Sequence, residues 1–246
     1  MANKKVFLGV PCRDSIIPEA QQGLQLPAQE VDWQLEIGKG PLLANVFNGL
    51  WCLALNSRKT HGWDYFAFHH ADIQAPACWL DVMVGEAERT GAEMLSAVVC
   101  LKEPTGKTST AIWNPQTWRY RRLTLQEIFR LPETFAAGNL RDYLELPASP
   151  VLLVNTGLLL CRFTSDWIFP PFCWHVDDAI EELPDGRFVP VTNPEDWNAS
   201  RFMADRRLPV AATRKVRVIH HGAAAFDAGS AWGQETDSDE RFPQVS

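Results

Sequence analysis

The sequence predicts an α/β protein, a three-layer α/β/α sandwich around a mostly parallel central sheet. Three observations carry that prediction. Short apolar runs alternate with amphipathic helical patterns through the first hundred or so residues, which is the order of successive βαβ units. The chain has 246 residues, 46% of them hydrophobic, enough for one sizeable core. Polar, chemistry-bearing residues also stand where strands end and helices begin, the edge at which open α/β sheets bind ligands.

Lys5 to Val10 is an apolar strand ending in Pro11-Cys12-Arg13-Asp14, a turn with a positive charge. Ile16 to Leu26 is a helix closed by Pro27. Val31, Trp33, Leu35 and Ile37 alternate along a half-buried strand that turns at Gly38-Lys39-Gly40. Leu42, Leu43, Val46, Phe47, Leu50, Leu53 and Ala54 mark an amphipathic helix. Tyr65 to Phe68 is a buried strand, and the polar group His69-His70-Ala71-Asp72 follows it at once. Pro76 then opens a helix with Leu80, Met83, Val84 and Ala87 at helical spacing, and Gly91 ends it. Glu93 to Leu101 is a strand with AVVCL at its heart.

At Lys102 the pattern breaks. The stretch to Arg122 is polar, with Pro104, Gly106, Trp113, Pro115, Trp118 and Tyr120, and reads as an active-site flap or a simple hairpin. It contains TGKTST, similar to the tail of a P-loop. The first glycine of that motif would fall at Leu101, and no helix pattern comes next, so a P-loop is set aside. Thr124 with Glu127 makes a capping box for a short helix through Arg130. Val151 to Val154 and Leu158 to Cys161 are strand material around Asn155-Thr156-Gly157, and Phe169 to Phe188 reads as irregular. Asn193 caps a helix with Pro194 at its first position, running to about Arg207. Lys215 to Ile219 is a strand ending in His220-His221-Gly222. The acidic, apolar-poor tail over 234–246 reads as disordered.

Composition narrows the partners. The formal charge is −7 and the pI about 5.4, with no basic run longer than Arg121-Arg122 or Arg206-Arg207, so free duplex DNA is a poor partner. No apolar run approaches membrane-spanning length and the N-terminus lacks a signal-peptide core, so no integral membrane segment and a cytoplasmic location are expected. Six cysteines, at positions 12, 52, 78, 100, 161 and 173, form no C-x-x-C and read as thiols of a reducing compartment.

Three clusters of acid or imidazole stand at element ends: His70 with Asp72, Glu195 with Asp196, and His220 with His221. Their order, with the glycine-bearing strand TGLLLCR between the first two, resembles the nucleotide-sugar-dependent glycosyltransferases of the GT-A fold, in particular their large inverting family. The resemblance covers about Lys5 to Gly222. It implies one domain over 1–233, with a nucleotide-binding half over 1–101 and an acceptor and catalytic half over 102–233. Pro11, Cys12 and Arg13 look like the turn that holds the base and ribose. His70-Ala71-Asp72 stands in the place of the D-x-D motif, with His70 where the family has its first Asp, so Asp72 would hold a Mn²⁺ or Mg²⁺ ion on the donor diphosphate. Asp196 matches the general base toward the acceptor hydroxyl, and His220 a histidine that completes the metal site. The donor implied is a nucleoside-diphosphate sugar, a UDP-sugar first; the acceptor could be a glycan, a lipid, a protein or modified nucleic acid.

The chemistry agrees with these roles. A departing nucleoside diphosphate gathers negative charge that a cation offsets, and an attacking hydroxyl must give its proton to a base. Each residue also has an ordinary reading. Asp72 could be a turn residue, Asp196 a helix-capping carboxylate, and His220 a rim histidine. Asp177 and Asp178 are rival bases. Trp113, Trp118, Trp174 and Trp197 could stack on sugars or fill the core. The alternative activities are nucleotidyl transfer or metal-dependent hydrolysis, or none at all in an inert nucleotide-sugar-binding module; GVPCRD lacks the glycine-rich basic loop usual after the first strand of nucleotidyltransferases.

Overall fold

The computed structural model describes residues 3–114, 119–144, 146, 150–164, 171–183 and 185–233. The acidic tail and Trp118, both singled out above, lie outside them. The centre is a seven-stranded sheet. Its strands in chain order are β1 (Lys5–Cys12), β2 (Asp32–Lys39), β3 (Tyr65–His69), β5 (Met94–Ala97), β8 (Thr134–Ala136), β10 (Leu158–Arg162) and β13 (Val210–Thr213). In space they run β2-β1-β3-β10-β5-β13-β8. Only β10 and β8 run against the rest, so the expected mostly parallel sheet is present.

Three layers follow from strand parity. Helix α2 (Leu43–His61) lies on the face of β3 that carries Phe66 and Phe68, stacking Phe47 on Phe68 and setting Trp51 edge-on to Phe66. It comes close because Gly38 has no side chain: a Cβ there would meet Val46 at 2.7 Å. Helix α3 (Trp79–Thr90) lies on the opposite face, where Trp79 approaches His69 and Glu88 accepts the Tyr65 hydroxyl. α1 (Pro18–Gln25) sits beside it, its Gly23 carbonyl accepting the Trp79 indole N–H. The aromatic side chains between the sheet and α2 are almost wholly buried. Rings of this kind bury about 150–250 Å² each, so this layer contributes heavily to the core.

Smaller sheets hang from this core. β4 (Ile73–Gln74), β14 (Ile219–His221) and β15 (Ala225–Asp227) form one; β6 (Lys107–Asn114), β7 (Arg119–Thr124) and β9 (Val151–Leu153) form another. β11 (Asp177–Glu182) and β12 (Phe188–Asn193) make a hairpin. Helices α4 (Leu125–Ile128), α5 (Ala137–Leu144) and α6 (Glu195–Asp205) lie further along the chain.

Several expectations need correction. The helix expected from Pro76 begins at Trp79, because Cys78 takes a left-handed φ of 58° that no helix can pass through. Asn193 ends β12 instead of capping α6; Pro194 holds the cap position with an extended backbone. The strand expected over Lys215–Ile219 is β14, shifted to Ile219–His221, and β13 is an additional strand before it. The region expected to be irregular contains the β11–β12 hairpin. Lys102 to Arg122, read as a flap or a simple hairpin, does hold the paired strands β6 and β7. The capping box at Thr124 and Glu127 is present, with both reciprocal hydrogen bonds. Of the cysteines, Cys12, Cys100 and Cys161 are buried, whereas Cys52 and Cys173 are exposed.

Candidate functional site

β1 has β2 on one side and β3 on the other. The chain thus leaves β1 in one direction and returns past it in the other, which opens a crevice beyond the carboxyl ends of β1 and β3. A cavity of about 400 Å³ lies there. Its wall includes all six residues expected to bind nucleotide: Pro11, Cys12 and Arg13 from the end of β1, and His70, Ala71 and Asp72 from the end of β3. Gly40 and Pro41, after β2, close the third side.

The turn after β3 is held from three directions. The Ala71 carbonyl accepts from Ile17 N–H at 3.1 Å, the His70 N–H donates to the Gly157 carbonyl at 2.9 Å, and the His70 carbonyl accepts from Ile73 N–H at 3.2 Å. The His70 ring leaves its Nε2 buried without a partner. Burial pushes the His70 imidazole down to about 4, so at neutral pH it is uncharged.

β4 comes directly after Asp72 and pairs antiparallel with β14, with Ile73 opposite His220. That ladder brings together two motifs about 150 residues apart in sequence. His220 Nδ1 donates to the Cys100 carbonyl at 2.8 Å, and its Nε2 faces Asp72 Oδ2 at 3.6 Å. His221 instead turns its Nε2 to Gln74 Oε1 at 2.9 Å. The same Asp72 Oδ2 accepts from Lys102 Nζ at 2.5 Å. Burial acts to raise the Asp72 carboxyl, but the His220 imidazole beside it and the Lys102 ammonium bonded to it outweigh that and hold the group far below the usual carboxylate range.

The expected pair of metal ligands, Asp72 and His220, is therefore assembled, but the site does not fit a divalent ion. Among the described residues no group of three or more His, Cys, Asp or Glu side chains is arranged to hold one. An ion on Oδ2 at about 2.1 Å would stand within about 5 Å of the Lys102 ammonium. At an effective dielectric of about 20 that repulsion is several kcal/mol. Lys102 is the residue that sequence reasoning missed: it marked only the start of a polar stretch.

Asp196 lies in the first turn of α6 and is not on the wall of the cavity beyond β1 and β3. Its Oδ1 accepts the Trp197 N–H at 2.8 Å. Burial, with the neighbouring Glu195 charge adding to it, pushes its carboxyl up to about 8. The turn after β9 links α6 to the crevice. Val154 N–H donates to Ser200 Oγ, and that hydroxyl donates to the Asp196 carbonyl, both at 3.0 Å. At the turn's other end Gly157 accepts from His70. A second cavity, of about 290 Å³, opens beside α6 between Trp113, Tyr120 and Trp197, with Asp177, Glu181, Asn193 and Arg201 as its polar wall residues; Asp196, next to Trp197 in sequence, is not on this wall either. Asp178 is not on its wall and accepts the Thr192 hydroxyl at 2.7 Å. Trp174 is core, edge-on to Phe47 and Phe68.

No protein-family model matches this chain, and no curated protein matches it either. Among solved structures, A197 from STIV matches with a TM-score of 0.50 at 11% identity, covering 96% of each chain. A CMP:2-keto-3-deoxy-manno-octonic acid synthetase complexed with CTP matches at 10% identity over 85% of this chain and 89% of that one, with a TM-score of 0.38. A UDP-glucose pyrophosphorylase complexed with UDP-glucose matches at 9% identity over 93% and 94%, with a TM-score of 0.39. At such identities the first likeness concerns the fold alone, and the other two carry no functional weight. Among the described residues no helix is long and apolar enough to cross a membrane.

Proposed function

We propose that this chain is a glycosyltransferase that moves a sugar from a nucleoside-diphosphate sugar to an acceptor hydroxyl, with inversion. The observation that supports this most is the cavity at the switch point: its volume lies in the usual ligand range, and all six residues expected at the nucleotide stand on its wall. Pro11, Cys12 and Arg13 would hold base and ribose, and the turn His70–Asp72 the diphosphate side. The aromatic cavity beside α6 would take the acceptor, whose sugar face suits Trp113 and Tyr120. Asp196 would accept the hydroxyl proton. With its carboxyl pushed up to about 8, it holds that proton well, and transfer should rise with pH through about 8 as the ionised fraction grows.

Nucleotidyl transfer is the second reading, favoured by one observation: Asp196 is not on the wall of the nucleotide-side cavity. Products separate the two. The purified chain is incubated with UDP- or GDP-sugars and a panel of glycan acceptors, and in parallel with nucleoside triphosphates and sugar phosphates. Glycosyl transfer releases nucleoside diphosphate and forms a new glycoside; nucleotidyl transfer releases pyrophosphate. Asp196→Asn should bind nucleotide normally and lose on the order of a hundred- to ten-thousand-fold in transfer rate. Pyrophosphate release with no glycoside formed, or full transfer by Asp196→Asn, would overturn the proposal.

A further inference from the structure

Lys102 is placed by three separate parts of the chain. It comes after the segment Cys100–Leu101, where Cys100 bridges to Thr108 and the Leu101 N–H donates to the Lys107 carbonyl at 2.9 Å. Its aliphatic stem runs over Gly222: a Cβ there would meet Lys102 Cδ at 2.8 Å and Cγ at 3.3 Å. Its ammonium ends on Asp72, a wall residue of the nucleotide-side cavity. Gly222 does not take a left-handed φ, so its turn does not require a glycine. A side chain there would push the lysine stem aside. The H-H-G sequence thus reads as one device: His220 faces Asp72, His221 N–H donates to the Asp72 carbonyl at 2.9 Å, and Gly222 makes room for the lysine.

An ammonium carries three donors, of which Asp72 takes one. The other two can meet phosphate oxygens, as a point charge that binds phosphate does. We propose that Lys102, and not a divalent metal ion, supplies the positive charge against the donor diphosphate, so that nucleotide binding at this site is independent of metal. This rests on the reading of the cavity as a nucleoside-diphosphate site. Asp72 then acts as a positioning residue, aiming the ammonium it is paired with.

The test is calorimetric titration of the intact chain with UDP, GDP, CDP and ADP, in EDTA and again in Mn²⁺. Wild-type protein should bind its preferred diphosphate with affinities within about threefold of one another in the two buffers. Lys102→Met should weaken binding at least about tenfold in both, and Lys102→Arg should keep most of it. Gly222→Ala, which leaves the lysine in the chain but displaces its stem, should weaken binding as well; it serves as the second variant if Lys102→Met does not fold. Binding that tightens more than about tenfold with Mn²⁺, or that is unchanged in both Lys102→Met and Gly222→Ala, would overturn the assignment to Lys102 while leaving the nucleotide site in place. Failure of every diphosphate to bind in either buffer would remove both the site and this role.

Discussion

Asp196→Asn separates electrostatics from fold, because the change alters one charge and little else. The amide oxygen can still accept the Trp197 N–H that Oδ1 accepts now. In the folded chain the carboxyl sits at about 8, against an ordinary value near 4 in the unfolded chain. Between those values the folded state holds a proton that the unfolded state has lost. The stability associated with that proton is complete below about pH 4 and is lost as pH rises through about 8. The slope is about 1.4 kcal/mol per pH unit, so from pH 5 to pH 7 Asp196 removes about 3 kcal/mol. The asparagine variant has no such proton to lose. Its stability relative to wild type should therefore grow by about 3 kcal/mol over that range, which is about 5–10 °C in Tm for a chain of this length. Taking the difference between the two proteins cancels the other titrating groups. Parallel thermal melts at half-unit steps from pH 5 to pH 8 measure it. A Tm difference that stays flat across the range would show that Asp196 is solvated and ionised in the folded chain, and the proposed base would lose its tuned carboxyl.

Two further outcomes test the frame of the molecule. Burial pushes the His69 imidazole down to about 4, so the stability it contributes is present above about pH 6.5 and is lost as pH falls toward 4; urea unfolding should show wild type losing about 2 kcal/mol relative to His69→Gln between pH 6.5 and pH 5, the difference between the two proteins cancelling His70 and Asp196. Gly106 has a φ of 78°, and a Cβ there would stand 2.0 Å from the Trp232 carbonyl oxygen, so Gly106→Ala should cost at least about 2 kcal/mol, read as a lowered urea midpoint with an unchanged m-value.

The parts of the molecule legible in the sequence are those specified by local pattern. The apolar run at Tyr65–Phe68 and the helical spacing of Leu80, Met83, Val84 and Ala87 needed no knowledge of the rest of the chain. The same holds for the turn residues that reach the nucleotide-side cavity, since parallel strands deliver their succeeding turns to one edge of the sheet. The hidden parts depend on distant pairing. Val210–Thr213 is only four residues, VAAT, with two alanines at its centre, and it becomes a strand because β5 and β8 flank it. Leu158–Arg162 is legible as a strand but not as an antiparallel one, since direction is set by its neighbours. Lys102 carries no signal at all. It reaches Asp72 from thirty positions away in sequence.

The position of β10 has a consequence for how the chain comes to be made. Leu159 lies opposite Phe68 on one side and Ser96 on the other, so the middle of the sheet is supplied by residues synthesised about ninety and about sixty positions after the strands they join. Until about residue 162 has left the ribosome, β3 and β5 both present bare edges, and β13 cannot complete the far side until about residue 213. The nucleotide-side residues therefore do not constitute a unit that can be cut out. A fragment ending at residue 101 should aggregate or remain uncompacted, whereas co-expression with the remainder of the chain should restore it, because what it lacks are β8, β10 and β13 of the central sheet.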